Sequence, residues 1–495
     1  MEPVPLIFSC DTEDYETPAS DDAELLWARL FARHGIRACF CVVGEEARAL
    51  RDRGRRDVLA ALAQHEIASH SNLHSAHPTP AEYLDGLSWR DGVRRFVQEE
   101  APAVGDLRDL LGQQPSAWCK PGNSWGAAVP YAAALLGMPV FCDAPFEWAP
   151  GRPMRYAGEL LPGPTGTSGP SVGGLLLRYH TSFDRYFRVP GAERQGQMRA
   201  DFEALLESRL AEAEQEGRPP GIVVIYTHPC RTVTAAFPDN FTAGRNPPRS
   251  EWRPAPLRPQ HEVDALVRDF DAFLGWIADL RASDRVVLTT YREVFERYRQ
   301  PAEARLPLHG ALELARAVAI DDSPIEPWKI AGQWLSPAEQ YGVVAAALAH
   351  SAVWGSPPKE VPVRRLLGPI DYESLQAAAA QDASPVALPV VQRAAVEADE
   401  RCSRDGAVPA RIALPGSGGP GRALRLMSRA LVAAAGPSRG IEVQSPKGND
   451  ETVLWRREDF QRLRFQGTWS IFPPDFKGER LIEQARWQTW SAKPA

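Results

Sequence analysis

Short apolar runs alternate with charged, helix-patterned stretches through the first half of this 495-residue chain. The apolar runs have the length of strands, and turn signals or longer amphipathic stretches separate them. This alternation predicts an α/β fold with a mainly parallel sheet or barrel. We expect strands over 4–10, 36–43, 117–120, 139–142, 175–180 and 222–227, and helices over 45–63, 129–136 and 199–216.

Two histidines four residues apart, His70 and His74, form the most informative pair in the sequence. On a helical turn, residues at i and i+4 lie on one face, so two imidazoles placed there can chelate one divalent ion. A zinc site of this kind is usually completed by a carboxylate. Candidate carboxylates, Asp11, Glu13 and Asp14, follow the first predicted strand. The combination indicates a metal-dependent hydrolase.

Five short motifs resemble, in order and spacing, those of the polysaccharide deacetylase family (the NodB-homology or family-four carbohydrate esterases) over residues 1–300. They are Asp11-Thr12-Glu13-Asp14, His70-Ser71-Asn72-Leu73-His74, Lys120-Pro121-Gly122, His228-Pro229 and the segment 286–293. The first motif is similar to that of an Asp-x-Glu-Asp subgroup. The resemblance implies a distorted (β/α)7 barrel of the NodB type, with its catalytic groups at the carboxyl ends of strands.

The resemblance also implies roles for the motif residues. Asp11 corresponds to the general base of the subgroup, and Glu13, two positions on, corresponds to a metal ligand, with Asp14 as the alternative ligand. His70 and His74 would complete a site for one divalent metal. Zinc is the expected ion, with cobalt, nickel or manganese as alternatives.

Further residues complete the expected chemistry. His228 would be the general acid, and Asp143, which follows a predicted strand, is the candidate residue that orients it. Lys120 stands where the family has an arginine. A lysine is a point charge without the guanidinium fork, and it is expected to hold the general base or the oxyanion. His77 is expected outside the metal ligands, and His180 at the rim of the site.

Composition limits the expected partners and compartment. A net charge of −7 argues against nucleic acid or an anionic membrane surface as the main partner. The sequence has no apolar run long enough for a membrane span and no pattern of a signal peptide. Its seven cysteines are odd in number, and Cys10, Cys39 and Cys41 fall in predicted strands, as expected of buried thiols. A cytoplasmic protein is expected.

Beyond residue 300 the composition shifts to Ala, Arg and Pro, and we expect a linker over 301–308 and a mostly helical region over 309–495. A faint internal repeat covers 324–348 and 409–431. Each copy has a proline, an extended piece, a glycine turn and a proline that opens an apolar helix. The region is loosely similar to small wall-glycan-binding repeats such as the pseudomurein-binding repeat. A packing module, or one that forms a homo-oligomer, is the alternative.

Two further features of this region are specific. Ser336, Pro337 and Glu339 match a capping box at the start of a helix. The tail is rich in tryptophans that could pack on the barrel or face a sugar: Trp455, Trp469, Trp487 and Trp490.

Three functions remain open at this level. The first is a metal-dependent N-deacetylase that acts on an amino-sugar unit of a glycan or glycan precursor. The second is an amidase or ureide hydrolase with a small non-sugar substrate, since allantoinase-like relatives share the barrel. The third is a catalytically weak protein that binds a glycan. We expect residues 1–300 to carry every chemical group.

Overall fold

The computed structural model describes most of the chain. The described residues are 2–142, 151–157, 159–161, 183–189, 191–239, 247–300, 304–371, 384–414, 418–436, 442–446, 450–457 and 471–495.

A curled sheet forms the centre of the first half. Its strands are β1 (Val4–Thr12), β2 (Cys39–Val42), β3 (Glu66–Ser69), β4 (Ala117–Cys119), β5 (Val140–Cys142), β6 (Met154–Tyr156), β7 (Glu159–Leu161), β8 (Val223–Thr227) and β9 (Val286–Leu288). They lie in the order β6-β7-β5-β4-β3-β2-β1-β8, and β9 also pairs with β1. The six strands from β5 to β8 in this order run parallel and curl into a half-barrel. The predicted α/β fold with a distorted NodB-type barrel is confirmed.

Helices cover the outer face of this sheet. They are α1 (Pro18–Arg33), α2 (Gly44–Asp52), α3 (Arg56–Leu62), α4 (Pro80–Leu84), α5 (Trp89–Leu111), α6 (Val129–Leu135), α7 (Gly191–Glu216) and α8 (Gln260–Ala282). A further helix, α9 (Tyr291–Arg297), instead packs Tyr291 and Val294 against the inward-facing residues of the sheet. The single helix expected over 45–63 is two helices, because Gly54 adopts the left-handed conformation (φ 71°) between α2 and α3. The strand expected over 175–180 lies outside the described residues.

The alternation of side chains along β1 decides which residues reach the barrel interior. Leu6, Phe8 and Cys10 face outward and share an apolar core with α1, α7 and α8. Ile7 faces inward, and Ser9 lies 3.3 Å from the inward-facing thiol of Cys41. The same period places the Asp11 carboxylate inside, at the carboxyl edge of the sheet. All seven cysteines are buried free thiols.

The second half is built from two similar sets of strands and helices. The first set holds β10 (Ala304–Pro307), α10 (Leu308–Val318), β11 (Trp328–Ile330), β12 (Gln333–Leu335), α11 (Pro337–Trp354) and β13 (Glu360–Val363). The second set holds β14 (Val386–Ala387), α12 (Leu388–Asp405), α13 (Pro420–Ala435) and β15 (Glu442–Val443). In each set the outer strands pair antiparallel, β10 with β13 and β14 with β15, and the four helices share one core. The sets are longer than the predicted repeat copies 324–348 and 409–431, in which α11 and α13 begin.

Local details of this half follow the sequence. The Ser336 hydroxyl accepts a hydrogen bond from the Glu339 amide, and the Glu339 carboxylate accepts one from the Ser336 amide, so the capping box at α11 is present with Pro337 at its first position. Part of the segment expected as a linker is ordered as β10. No helix among the described residues is long and apolar enough to cross a membrane.

The end of the chain returns to the barrel. After α14 (Val453–Arg456), helix α15 (Glu479–Gln488) packs on α4, α5 and α6 through Leu481 and Ala485, and β16 (Lys493–Pro494) pairs antiparallel with β6. The ammonium of Lys493 forms a buried ion pair with Glu339, 2.7 Å away in the helical half. Trp487 and Trp490 lie in the core of that half, and Trp469 lies outside the described residues. The two halves are therefore joined by shared packing.

Candidate metal and acid–base site

The motif residues meet at the carboxyl edge of the parallel strands. Asp11 lies at the end of β1 and Glu13 directly after it, the histidine pair follows β3, Lys120 follows β4, and His228 follows β8. Because parallel strands bring their carboxyl ends to the same edge, residues more than 200 positions apart become neighbours. All of these side chains are buried.

One carboxylate and two imidazoles converge at this edge. Glu13 Oε2 lies 3.1 Å from His70 Nε2 and 2.8 Å from His74 Nε2. The ligand atoms of the three residues all lie within 4.8 Å of one another. The other carboxylate oxygen of Glu13 is buried without a hydrogen-bond partner. A buried carboxylate with an orphaned oxygen and two imidazoles fit one divalent cation with an open position.

The charges of the site favour a cation as well. Burial raises the pKa of Glu13, but the charges of His74 and His228 and the hydrogen bonds from the histidines outweigh it, so that this pKa falls well below its usual value. Burial lowers the pKa of His74, which favours the neutral imidazole that binds metals. Burial also lowers the pKa of His70, yet the charges of Asp11 and Glu13 raise it to about 9.

The histidine pair does not lie on a helical turn, and that expectation was wrong. β3 ends at Ser69, and the chain then turns through left-handed residues, Ser71 (φ 66°) and His74 (φ 52°). This turn brings the two imidazole rings to a centroid distance of 4.8 Å. His70 Nδ1 lies 3.2 Å from the Cys119 carbonyl and donates to it, which leaves Nε2 as the ligand atom.

Asp14, the alternative ligand, points away from the histidines. Its carboxylate accepts hydrogen bonds from the Thr17 amide (3.0 Å) and the Ser20 hydroxyl (2.7 Å) at the start of α1. Anionic side chains are favoured at this end of a helix. Glu13 therefore lies with His70 and His74, and these three residues form the candidate metal group, whereas Asp14 lies at the start of the helix.

Asp11 lies beside this group. Its Oδ2 atom is 3.8 Å from His228 Nε2, and its Oδ1 atom is 3.9 Å from the Cys119 sulfur. Burial raises the pKa of Asp11 to about 8, against the lowering effect of His70 and His228. A carboxylate with a raised pKa is a stronger base than an exposed one.

His228 is oriented by an aspartate that sequence analysis missed. Asp184, in the short helical turn Phe183–Arg188, lies 2.5 Å from His228 Nδ1 and also accepts from the His228 amide and the Thr227 hydroxyl. Burial lowers the pKa of His228, but the charges of Asp184, Glu13 and Asp11 raise it to about 10. Asp143 lies outside the described residues, and the contact expected of it is made by Asp184.

The other residues predicted near the site are not among the candidate metal ligands. Lys120 is buried, and its ammonium donates to the Gly122 carbonyl at 2.5 Å, inside its own motif. His77 pairs with Glu82 at 2.8 Å. His180 lies outside the described residues.

A small cleft leads to the metal group. Its space for a water-sized molecule is about 10 Å³, and it is lined by Glu13, Tyr15, Glu16, His74, Ser75, Phe237, Pro238, Asp239 and Trp252. Trp252 packs on Tyr15 with a ring distance of 5.7 Å, and Arg249 lies over the same tyrosine ring and pairs with Glu45. The segment around Trp252 thus narrows the mouth of the cleft.

Neither a protein-family model nor a curated protein matches this sequence. Similar solved structures include a probable polysaccharide deacetylase from Pseudomonas aeruginosa PAO1 (14% identity, TM-score 0.37, 60% of this chain and 92% of that one). Puue allantoinase is similar at 14% identity and TM-score 0.38, over 60% of this chain and 92% of that one. Wild-type BA3943 of Bacillus anthracis, a CE4 family pseudoenzyme, is similar at 10% identity and TM-score 0.29, over 59% of this chain and 70% of that one.

CE4-family polysaccharide deacetylases of the NodB type are thus among the solved structures similar to this chain, as the motifs predicted. The similarity covers about three fifths of the chain.

Proposed function

We propose that this protein is a metal-dependent hydrolase that removes an acetyl group from an N-acetylated sugar unit of a glycan or glycan precursor. The observation that carries the proposal is the meeting of Glu13, His70 and His74 beside Asp11 and His228. A ligand group next to a base and an acid is what amide hydrolysis needs.

Glu13, His70 and His74 would hold one divalent ion, and zinc suits one carboxylate and two imidazoles. Cobalt, nickel and manganese are the alternatives. When bound, such an ion supplies Lewis-acid polarisation of the amide carbonyl and lowers the pKa of water.

Asp11 accepts the proton of the attacking water. Its buried position and raised pKa support this role, since the carboxyl holds a proton more firmly than an exposed aspartate. Asp11 Oδ2 and His228 Nε2 are 3.8 Å apart, which supports a base and an acid that act on the same amide bond.

His228 donates a proton from Nε2 to the leaving nitrogen. Asp184 accepts from Nδ1, which directs Nε2 toward the carboxylates of Asp11 and Glu13 and stabilises the imidazolium. Lys120 places a buried positive charge next to the glycine turn of its motif, where it can support the developing oxyanion.

The walls of the cleft favour a second candidate. Trp252 and Tyr15, whose rings are 5.7 Å apart, narrow the opening beside Glu13 and His74, and a narrow opening suits a small amide or ureide better than a chain of sugars. A small-molecule amidase would use the same base, acid and metal group. A protein that binds a glycan with little turnover would use the cleft and not the acid–base pair.

We also propose a cytoplasmic location, in keeping with seven buried free thiols. A carbohydrate is the proposed partner, with no role for nucleic acid. The helical half is proposed to dock the substrate or to join two copies of the chain.

The test is product analysis with the zinc-loaded full chain. N-acetylhexosamines, their nucleotide derivatives, N-acetylated oligosaccharides, small amides and ureides are the substrates, and Asp11→Asn is the matched inactive control. Acetate from the sugars supports the deacetylase. Turnover of small amides or ureides alone supports the second candidate, and bound metal without turnover supports the glycan-binding protein.

A further inference from the structure

A chain of contacts reaches from the metal group to the opposite wall of the cleft. His74 Nδ1 lies 3.1 Å from the hydroxyl of Ser75, and that hydroxyl donates a short hydrogen bond to the carboxylate of Asp239. Asp239 lies beyond β8, 164 positions from Ser75, and is only 4% exposed. His74 Nδ1 and the same carboxylate oxygen are 3.9 Å apart.

The direction of these hydrogen bonds fixes the form of the imidazole. An ionised carboxylate only accepts, and a serine hydroxyl has one proton to give. Because Ser75 donates to Asp239, its oxygen accepts the Nδ1 proton of His74. With Nδ1 held by Ser75, Nε2 is the atom of this ring that is left to bind a metal, and it lies 2.8 Å from Glu13 Oε2.

The same wall segment also touches the acid. Phe237, two residues before Asp239, packs edge-on against the His228 ring at 5.1 Å. The segment is anchored nearby by an antiparallel bridge between Thr234 and Leu257. One short piece of chain therefore contacts the metal group at one end and the acid at the other.

We propose that Asp239 is a positioning residue for the metal ligand His74 and acts through Ser75. The inference rests on the proposed metal-dependent function. It assigns the wall segment 237–239 a part in holding the metal, beyond lining the cleft. Partners of metal-bound histidines typically contribute about 10- to 100-fold in metal affinity or activity.

Two variants separate the hydrogen-bond chain from the charge at its end. Ser75→Ala removes the hydroxyl with little change of shape and breaks the chain. Asp239→Asn keeps an acceptor oxygen but removes the negative charge. If Asp239 acts only through Ser75, the double variant should bind metal no more weakly than Ser75→Ala alone.

The measurement is the Kd for Zn²⁺ and Co²⁺ of the full chain, by competition with a chelating dye, with the Co²⁺ absorption spectrum as a second readout. Ser75→Ala should weaken binding about 10- to 100-fold and shift the Co²⁺ bands. Asp271→Asn is the matched control, because this aspartate pairs with His34, a surface histidine, at 2.8 Å. Thermal unfolding of the metal-free proteins checks that each variant folds. If Asp239→Asn does not fold, the metal affinity of Ser75→Ala alone tests the proposal.

The outcomes distinguish this inference from the proposed function. If the wild-type protein binds no metal, both the proposed function and the role of Asp239 are wrong. Wild-type binding that His74→Ala abolishes, together with Ser75→Ala within about threefold of wild type, would overturn the inference alone. Losses from Ser75→Ala and Asp239→Asn that simply add would also overturn it, because Asp239 would then act by another route.

Discussion

Asp184 Oδ2 lies 2.5 Å from His228 Nδ1, and no local sequence pattern links the two residues. Asp184 belongs to the turn Phe183–Arg188, and His228 follows β8. Burial raises the pKa of Asp184, but the charge of His228 and the hydrogen bonds from it hold that pKa below its usual value. The pair is thus an ionised carboxylate against an imidazolium, which suits a general acid.

Replacing this carboxylate should impair turnover and spare the metal. We expect Asp184→Asn to lower kcat about 10²- to 10⁴-fold, because the imidazolium loses its counter-charge and its orientation. Metal content should stay at the wild-type level. Asp201→Asn is the control, since Asp201 accepts from the Tyr186 hydroxyl nearby without touching His228. If Asp184→Asn had the same kcat as the control, Asp184 would have no part in orienting His228 for catalysis.

The two neighbouring acids of the first motif should behave differently. Glu13→Gln should greatly weaken Zn²⁺ binding, because the amide cannot supply a charged ligand between His70 and His74. Asp14→Asn should retain the metal and lower the melting temperature, because it weakens the hydrogen bonds at the start of α1. Equilibrium dialysis and thermal unfolding measure the two effects. If Asp14→Asn weakened Zn²⁺ binding more than Glu13→Gln did, Asp14 would be the ligand and the assignment of Glu13 would be wrong.

Glu100 should make stability depend on pH. Burial raises its pKa to about 7 from 4.5, although Trp118 donates a hydrogen bond to it. Between these values the unfolded chain releases a proton that the folded protein keeps, so stability falls as pH rises. The loss amounts to at most about 3 kcal/mol across this window.

Glu100→Gln should abolish this component, because the amide keeps an acceptor for Trp118 and carries no charge. Denaturant unfolding from pH 4.5 to pH 8 should show a flatter profile and a more stable variant at the upper end. The neighbouring Glu99→Gln is the control, because Glu99 is partly exposed and pairs with Arg95. Parallel profiles for wild type and Glu100→Gln would show that this carboxyl does not titrate as described.

The barrel should not be stable and soluble without the C-terminal half. A chain ending at Arg299 would uncover the α4–α6 surface that α15 covers, and would leave the β6 edge without β16. Exposed apolar surface and an open sheet edge both promote association. We expect this truncated chain to aggregate, as measured by size-exclusion chromatography with light scattering. A soluble monomer that retains its metal would show that the barrel core is independent of the tail.

The positions of the acids and of His228 could be predicted from strand order. Asp11, Glu13 and His228 each follow a predicted strand, and parallel strands necessarily place such residues at one edge. His70 and His74 were indicated by their motif alone, because the strand before them, β3, was not predicted. The fold class and this grouping could therefore be predicted together.

The other contacts depend on the paths of loops, which local patterns do not encode. Asp184 and Asp239 lie outside the predicted strands, and neither belongs to a motif. The left-handed turn at Ser71 and His74 contains no glycine from which it could have been predicted. The return of the tail to β6 is a pairing between distant positions with only two residues in the strand. These features required the structure.

Metal stoichiometry is the most direct test of the central claim that Glu13, His70 and His74 hold one divalent ion. The measurement is elemental analysis of the full chain after incubation with Zn²⁺ and removal of the excess, compared with the His70→Ala/His74→Ala double variant. The account predicts about one zinc per wild-type chain and none in the double variant, by the logic of a three-ligand site. Equal zinc in both proteins, or none in the wild type, would contradict it.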